Sequence, residues 1–197
     1  RQRQNAVEHV HRHDQLDRYD TLEDVRRNYA YLENSDPYQD VLFAEVNGEA
    51  AAYCRTEWRL EEGPAARIYS SLGFMKPEYR RLGIERAMLR WCEAHQRGIA
   101  AGHEAETPRF FELQASQNET DKHALALSEG YAVVRQFNLM VRPDLENIPD
   151  LALPPGVEVR PALPEHYRQV RDAMDEAFRD HWGYSEQSET AYEGWLH

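Results

Sequence analysis

One junction constrains this chain more than any other: Leu72-Gly73-Phe74-Met75-Lys76-Pro77-Glu78-Tyr79-Arg80-Arg81-Leu82-Gly83-Ile84-Glu85-Arg86-Ala87-Met88-Leu89. Before Pro77 the apolar residues keep the period of two of a strand. After it, Ile84, Ala87, Met88 and Trp91 share one face at the helical period of 3.6. A strand that enters a helix through a short Arg- and Gly-containing loop aims unpaired backbone N–H groups and the positive end of the helix dipole at one spot. Such a spot binds phosphate. Gly83 lets the backbone approach an anion closely, and Arg80 and Arg81 add guanidinium donors. The loop lacks both the Gly-rich dinucleotide pattern and the Gly-Lys-Ser/Thr ending, so neither a Rossmann nor a P-loop reading fits.

The residues around the junction predict its setting. Thr21-Leu22-Glu23-Asp24 is a capping-box pattern opening a helix over about 21–33, which a turn cluster at Asn34-Ser35-Asp36-Pro37 ends. Val41 to Val46 reads as a strand, Asn47-Gly48 as a hairpin turn, Ala50 to Arg59 as the return strand, and Arg67 to Met75 as a third. Beyond the junction helix come a strand at Phe110–Ala115, a short helix from Glu119 to Ser128 stopped by Gly130, and a long strand from Tyr131 to Val141. This is an α/β (α+β layered) order, a mixed central sheet flanked by helices.

Four prolines, Pro143, Pro149, Pro154 and Pro155, mark a semi-rigid linker. The division expected is a first domain over 1–143, a linker over 144–156 and the start of a second domain over 157–197. The last carries a short strand at Val157–Pro161, a helix opened by Pro164, and an amphipathic helix over Ser188–Leu196. One strand and two helices bury little core alone, so this unit reads as truncated or completed elsewhere.

Composition excludes several classes. No segment nears the roughly 18 apolar residues of a membrane helix, and Arg1-Gln2-Arg3-Gln4 has no signal-peptide core. A net charge of -12 repels nucleic acid and anionic lipid and suits a cationic partner. Only Lys76 and Lys122 are lysines, so the cationic chemistry is almost wholly guanidinium. Two cysteines, Cys54 and Cys92, read as reduced core thiols of a cytoplasmic protein. His9 and His13 stand at i, i+4, but no Glu or Cys completes a ligand set. A solvated polar helix is expected there, and no metal.

Pro77-Glu78-Tyr79-Arg80-Arg81-Leu82-Gly83-Ile84 resembles the acetyl-CoA pyrophosphate loop of the GNAT superfamily of N-acetyltransferases. Asn118, with the short helix and Gly130-Tyr131 after it, is similar to a later motif of that family, and the likeness covers about 21–142. The opening at Val157 and the turn Asp180-His181-Trp182-Gly183-Tyr184 resemble the start of a second copy, a tandem layout similar to mycothiol synthase-like proteins. The first copy would lack its opening strand.

The resemblance implies acetyl transfer from acetyl-CoA to a small-molecule amine by direct attack. Backbone around Leu72, Phe74 and Met75 would hold the thioester carbonyl. Arg80, Arg81, Leu82, Gly83, Ile84 and Glu85 would cradle the pyrophosphate, with Asn118 contributing. No nucleic acid or membrane partner is implied, and tandem copies would favour a monomer.

Two departures from the family pattern stand out. Glu85 occupies the loop's final Gly or Ala position, either facing the phosphates, where it repels them, or pointing outward as a first-turn acid. Ala126 stands where the family often has a general-acid Tyr, while Tyr131 takes a packing position. The alternative to an enzyme is therefore an inactive domain that senses ligand or scaffolds an active second domain. Glu112 is either a base in the cleft or an outward-facing strand residue. The turn at 180–184 either lines an acceptor pocket or ends a helix with Trp182 in the core. His95 and Cys92 read as surface and packing residues.

Overall fold

The computed structural model describes residues 21–62 and 65–196, so the His9 to His13 cluster lies outside the described residues. Helix α1 (Leu22–Ala30) begins with the expected capping box. The Thr21 hydroxyl accepts from the Asp24 amide at 3.1 Å, and the Thr21 amide donates to the Asp24 carboxylate at 2.9 Å. Strands β1 (Val41–Val46) and β2 (Glu49–Glu61) form the hairpin, with Asn47 at φ 52° and Gly48 at φ 82°, the left-handed pair that a two-residue turn of this kind demands. Strand β3 (Ala66–Met75) pairs antiparallel with β2, and β4 (Arg109–Leu113) pairs parallel with β3. The sheet order is β1-β2-β3-β4.

Helix α2 (Ile84–Ala101) crosses from β3 to β4, which parallel pairing requires. It buries Met88 and Cys92 against Ala52, Cys54 and Met75, with Leu42, Ile84 and Trp91 packed around them. Gln96, 1% exposed, sits in that interface and donates from Nε2 to the Ser70 carbonyl at 2.8 Å. Gln96→Leu keeps the volume and strands the carbonyl, so a loss of about 1–2 kcal/mol is expected in urea unfolding.

The opposite face of the sheet is charged, because alternation places Arg55, Glu57, Arg59 and Glu61 of β2 on one side. Arg59 donates to both oxygens of Glu112, at 3.0 and 2.9 Å, and to Glu61 at 2.7 Å and Ser70 at 2.9 Å. Glu112 is therefore held by an arginine. Burial alone would raise its pKa, but the bonds and charge of Arg59 override that and hold it below the usual carboxylate range. At the cleft end of this face, the Tyr29 hydroxyl of α1 lies 2.5 Å from that of Tyr53.

Helix α3 (Thr120–Ser128) follows β4. The expected strands at Tyr131–Val141 and Val157–Pro161 do not form. A strand needs a neighbour's N–H and C=O groups, and these stretches pair with no edge among the described residues. Val134, Leu139 and Met140 are consequently exposed. The chain reaches a short helical turn at Pro164–His166, then α4 (Tyr167–Phe178) and α5 (Glu189–Leu196).

The C-terminal stretch returns to the sheet. The Glu62 amide donates to the Tyr184 carbonyl at 3.1 Å, the Glu186 amide donates to the Glu62 carboxylate at 3.1 Å, and Ser188 bonds Glu33. Gly194 of α5 abuts Tyr31, where an added Cβ would meet the tyrosine Cβ at 3.0 Å. Trp182 is not a core residue as one reading had it. It is 43% exposed, with the Arg135 guanidinium 4.5 Å from its ring centroid.

Candidate active site

Pairing between β3 and β4 stops at Ser71 opposite Leu113, while β3 continues to Met75. The sheet splays there, and a cavity of about 100 Å³ opens between the last residues of β3, the start of α2 and helix α3. Its walls include Leu72, Phe74, Met75, Arg80 and Glu85, five of the residues expected to hold cofactor. Gly73 belongs to the same wall, and the absence of a side chain there keeps it open.

The loop that closes this end is built by two left-handed residues, Arg81 at φ 62° and Gly83 at φ 85°. Gly83 is the N-cap of α2, so the chain reverses into the helix at a residue with no Cβ strain. Arg80 points back along the wall, its Nη2 3.4 Å from the Met75 carbonyl. Arg81 points away from it. Its guanidinium is 81% exposed and donates to Asp121 Oδ1 of α3 at 2.9 and 2.7 Å, pinning the loop to that helix. Leu82, Gly83 and Ile84 frame the turn without lining the cavity, and Asn118 is exposed in the turn after β4, away from the walls.

Glu85 faces inward. It lines the cavity, and burial raises its pKa above the ordinary carboxylate value, against the lowering effects of the Arg81 amide and the Arg80 charge. Of the two orientations open from the sequence, the structure takes the inward one, with Glu85 lining the cavity. Ala126, 6% exposed, also lines the cavity and presents only a methyl group to it.

Sequence reasoning missed Lys122 and Glu119. Both line the cavity and pair at 3.3 Å, and the Glu119 carboxylate also accepts from the Ser116 amide at 2.8 Å. Their signal was the spacing of Glu119, Lys122 and Ala126, which puts all three on one face of α3. His95 does more than decorate the surface. Its Nε2 lies 2.5 Å from Asp40 Oδ1 and its ring stacks on Trp91 at 5.0 Å, tying the loop before β1 to α2. Among the described residues no group of three or more His, Cys, Asp or Glu side chains is placed to hold a metal, and no helix is long and apolar enough to cross a membrane.

The mixed sheet, its splayed end and the helices against it form a fold shared with a solved acetyltransferase structure. A GCN5-related N-acetyltransferase from Sphaerobacter thermophilus superposes with a TM-score of 0.66 at 21% identity, over 99% of this chain and 58% of that one. The chain thus spans less than two thirds of that protein's length. Looser superpositions reach the GNAT domain of S. lividans PAT, with a TM-score of 0.49 at 17% identity over 70% of this chain and 78% of that one. An aminoglycoside acetyltransferase, AAC(6')-Iy, in complex with the bisubstrate analogue CoA-S-monomethyl-acetylneamine, gives 0.48 at 10% identity, over 71% and 92%. No family model and no curated protein matches the sequence.

Proposed function

We propose that the chain is part of an acetyl-CoA-dependent N-acetyltransferase that moves an acetyl group to a small-molecule amine. The observation that carries the reading is the cavity at the splay of β3 and β4, which opens at the loop Arg80 to Glu85, similar to an acetyl-CoA pyrophosphate loop except at Glu85. Arg80 then binds a phosphate oxygen, and the loop and the Gly83 N-cap supply backbone N–H groups at the positive end of α2. The acetyl thioester lies along Leu72 to Met75. The amine nitrogen attacks the thioester carbonyl, the C–S bond breaks, CoA leaves as thiol, and the nitrogen loses one proton.

Glu85 and Ala126 favour a second reading, a weakened copy that binds cofactor and leaves chemistry to another domain. Residues 157–196 are then the opening of that domain, completed by sequence of the kind that the longer structural relative has. The apolar residues Val170, Met174 and Phe178, partly exposed along α4, are the face it would cover.

The test is titration of acetyl-CoA into the wild type and Glu85→Gln across pH, followed by free-CoA release with a panel of amines. Wild-type affinity is expected to rise as the pH falls through the raised pKa of Glu85, because protonation removes the charge facing the phosphates. Glu85→Gln is expected to bind about 5- to 10-fold tighter at neutral pH and to lose that part of the pH dependence. The free cofactor titrates identically in both experiments, so the difference between the curves belongs to Glu85 and its coupling to the bound phosphates. Binding without CoA release on any amine selects the second reading, and no binding at all defeats both.

A further inference from the structure

Cys54 of β2 and Cys92 of α2 are both free, both buried and both in the cavity wall, with their sulfurs 3.3 Å apart. Neither the acetyl-transfer reading nor simple packing requires two thiols at one point. Gly73 is the register partner of Cys54 on β3, so that position puts no side chain over the sulfur on the cavity side. The protein itself covers the pair, Cys54 at 4% and Cys92 at 1% exposure, chiefly through Ala52, Met75 and Met88, so a reactant reaches the sulfurs along the cavity wall. The two cysteines come from elements that already pack on each other, and the gap has only to close to the about 2.05 Å of a disulfide.

We propose that Cys54 and Cys92 form a redox-active dithiol at the floor of the cleft, which a hydroperoxide entering through the cavity converts to an intramolecular disulfide. The Cys92 sulfur attacks the peroxide oxygen, the O–O bond breaks, and Cys92 becomes a sulfenic acid with loss of one water. The Cys54 sulfur then displaces the hydroxyl of that sulfenic acid as a second water, and the S–S bond forms. Two thiols and one hydrogen peroxide give one disulfide and two waters, the sulfurs being oxidised and the peroxide reduced.

The neighbouring Cys92 sulfur, and after it burial, push the Cys54 thiol up. The interactions with Cys54 and Ser71 hold Cys92 down, against burial, which fits the order of attack. Around the pair, the facing groups that carry charge are Glu93 on α2, and Arg80, Glu85, Glu119 and Lys122 across the cavity.

The experiment treats the full chain with hydrogen peroxide and reads intact mass and a non-reducing peptide map, in the wild type, Cys54→Ser and Cys92→Ser. The expected result is loss of two hydrogen masses, a linked pair of peptides carrying Cys54 and Cys92, and recovery with dithiothreitol. Neither variant should form an internal link, and Cys92→Ser should consume peroxide at least about tenfold more slowly than Cys54→Ser. Independent addition of oxygen to the two thiols without a link, or links only between molecules, overturns the proposal.

A second arm rests on the cofactor reading. Acetyl-CoA, which has no free thiol, at about ten times its Kd should slow disulfide formation about tenfold by occupying the cavity. Disulfide formation that acetyl-CoA does not slow supports the dithiol and counts against cofactor occupancy of this cleft, so the two failures are distinguishable.

Discussion

Replacing Arg80 with Ala is expected to weaken acetyl-CoA binding about 30- to 100-fold, roughly 2–3 kcal/mol, while Arg81→Ala costs less than about threefold. The two arginines are adjacent in sequence and opposite in geometry. Arg80 lines the cavity and reaches back toward the Met75 carbonyl, so its charge faces the space assigned to the pyrophosphate in the proposed function. Arg81 is spent on Asp121, at the exposed rim, where a charge pair contributes little. Calorimetric titration of both variants, with circular dichroism as a check on folding, measures the difference. Equal losses would mean that the loop acts only as a diffuse positive patch. No loss from Arg80→Ala would move the cofactor site out of this cleft.

The largest effect on stability is expected at Arg59. Arg59→Met is expected to cost about 3 kcal/mol at neutral pH, read as a shift in the midpoint of urea unfolding. One guanidinium here satisfies two carboxylates, Glu61 with 3% and Glu112 with 20% of its side chain exposed. Removing it leaves both negative charges close together in a half-dry site.

The sign of the pH dependence follows from Glu112. Its pKa in the folded protein is depressed, so its contribution is present above its unfolded value, about 4.3, and is lost as the pH falls through the folded value. The gap between wild type and Arg59→Met should therefore narrow in acid. A double variant, Arg59→Met with Glu112→Gln, should recover part of the loss. If it does not, packing of the arginine stem is what the single substitution removes.

The elements that the sequence made legible were those whose signals are local. The capping box at Thr21, the Asn47-Gly48 turn and the change of period after Pro77 each depend on residues within a few positions of one another, and each stands where expected. Glu112 was open between two roles because which face of β4 is wet depends on Arg59, 53 residues away. The stretch 131–141 has the β-branched and aromatic composition of a strand. Composition cannot supply the pairing that a strand needs, and among the described residues this stretch pairs with no other strand.

The candidate site divides in the same way. Arg80 and Glu85 could be read together from the sequence because a loop motif is contiguous, and both line the cavity. Lys122, and the meeting of Cys54 with Cys92, depend on how α2 and α3 are set against the sheet.

The return of the C-terminal stretch onto the sheet bears on how the chain would respond to a protease. Residues 142–163 run exposed and without regular structure, an inviting place for a cut. The segments on either side are joined by more than the peptide chain: main-chain bonding at Glu62, the Ser188 link to Glu33, and the close fit of Gly194 on Tyr31. A nicked molecule should keep its two fragments together through gel filtration and part only in denaturant, so that the clasp, and not the linker, sets how far those segments can separate.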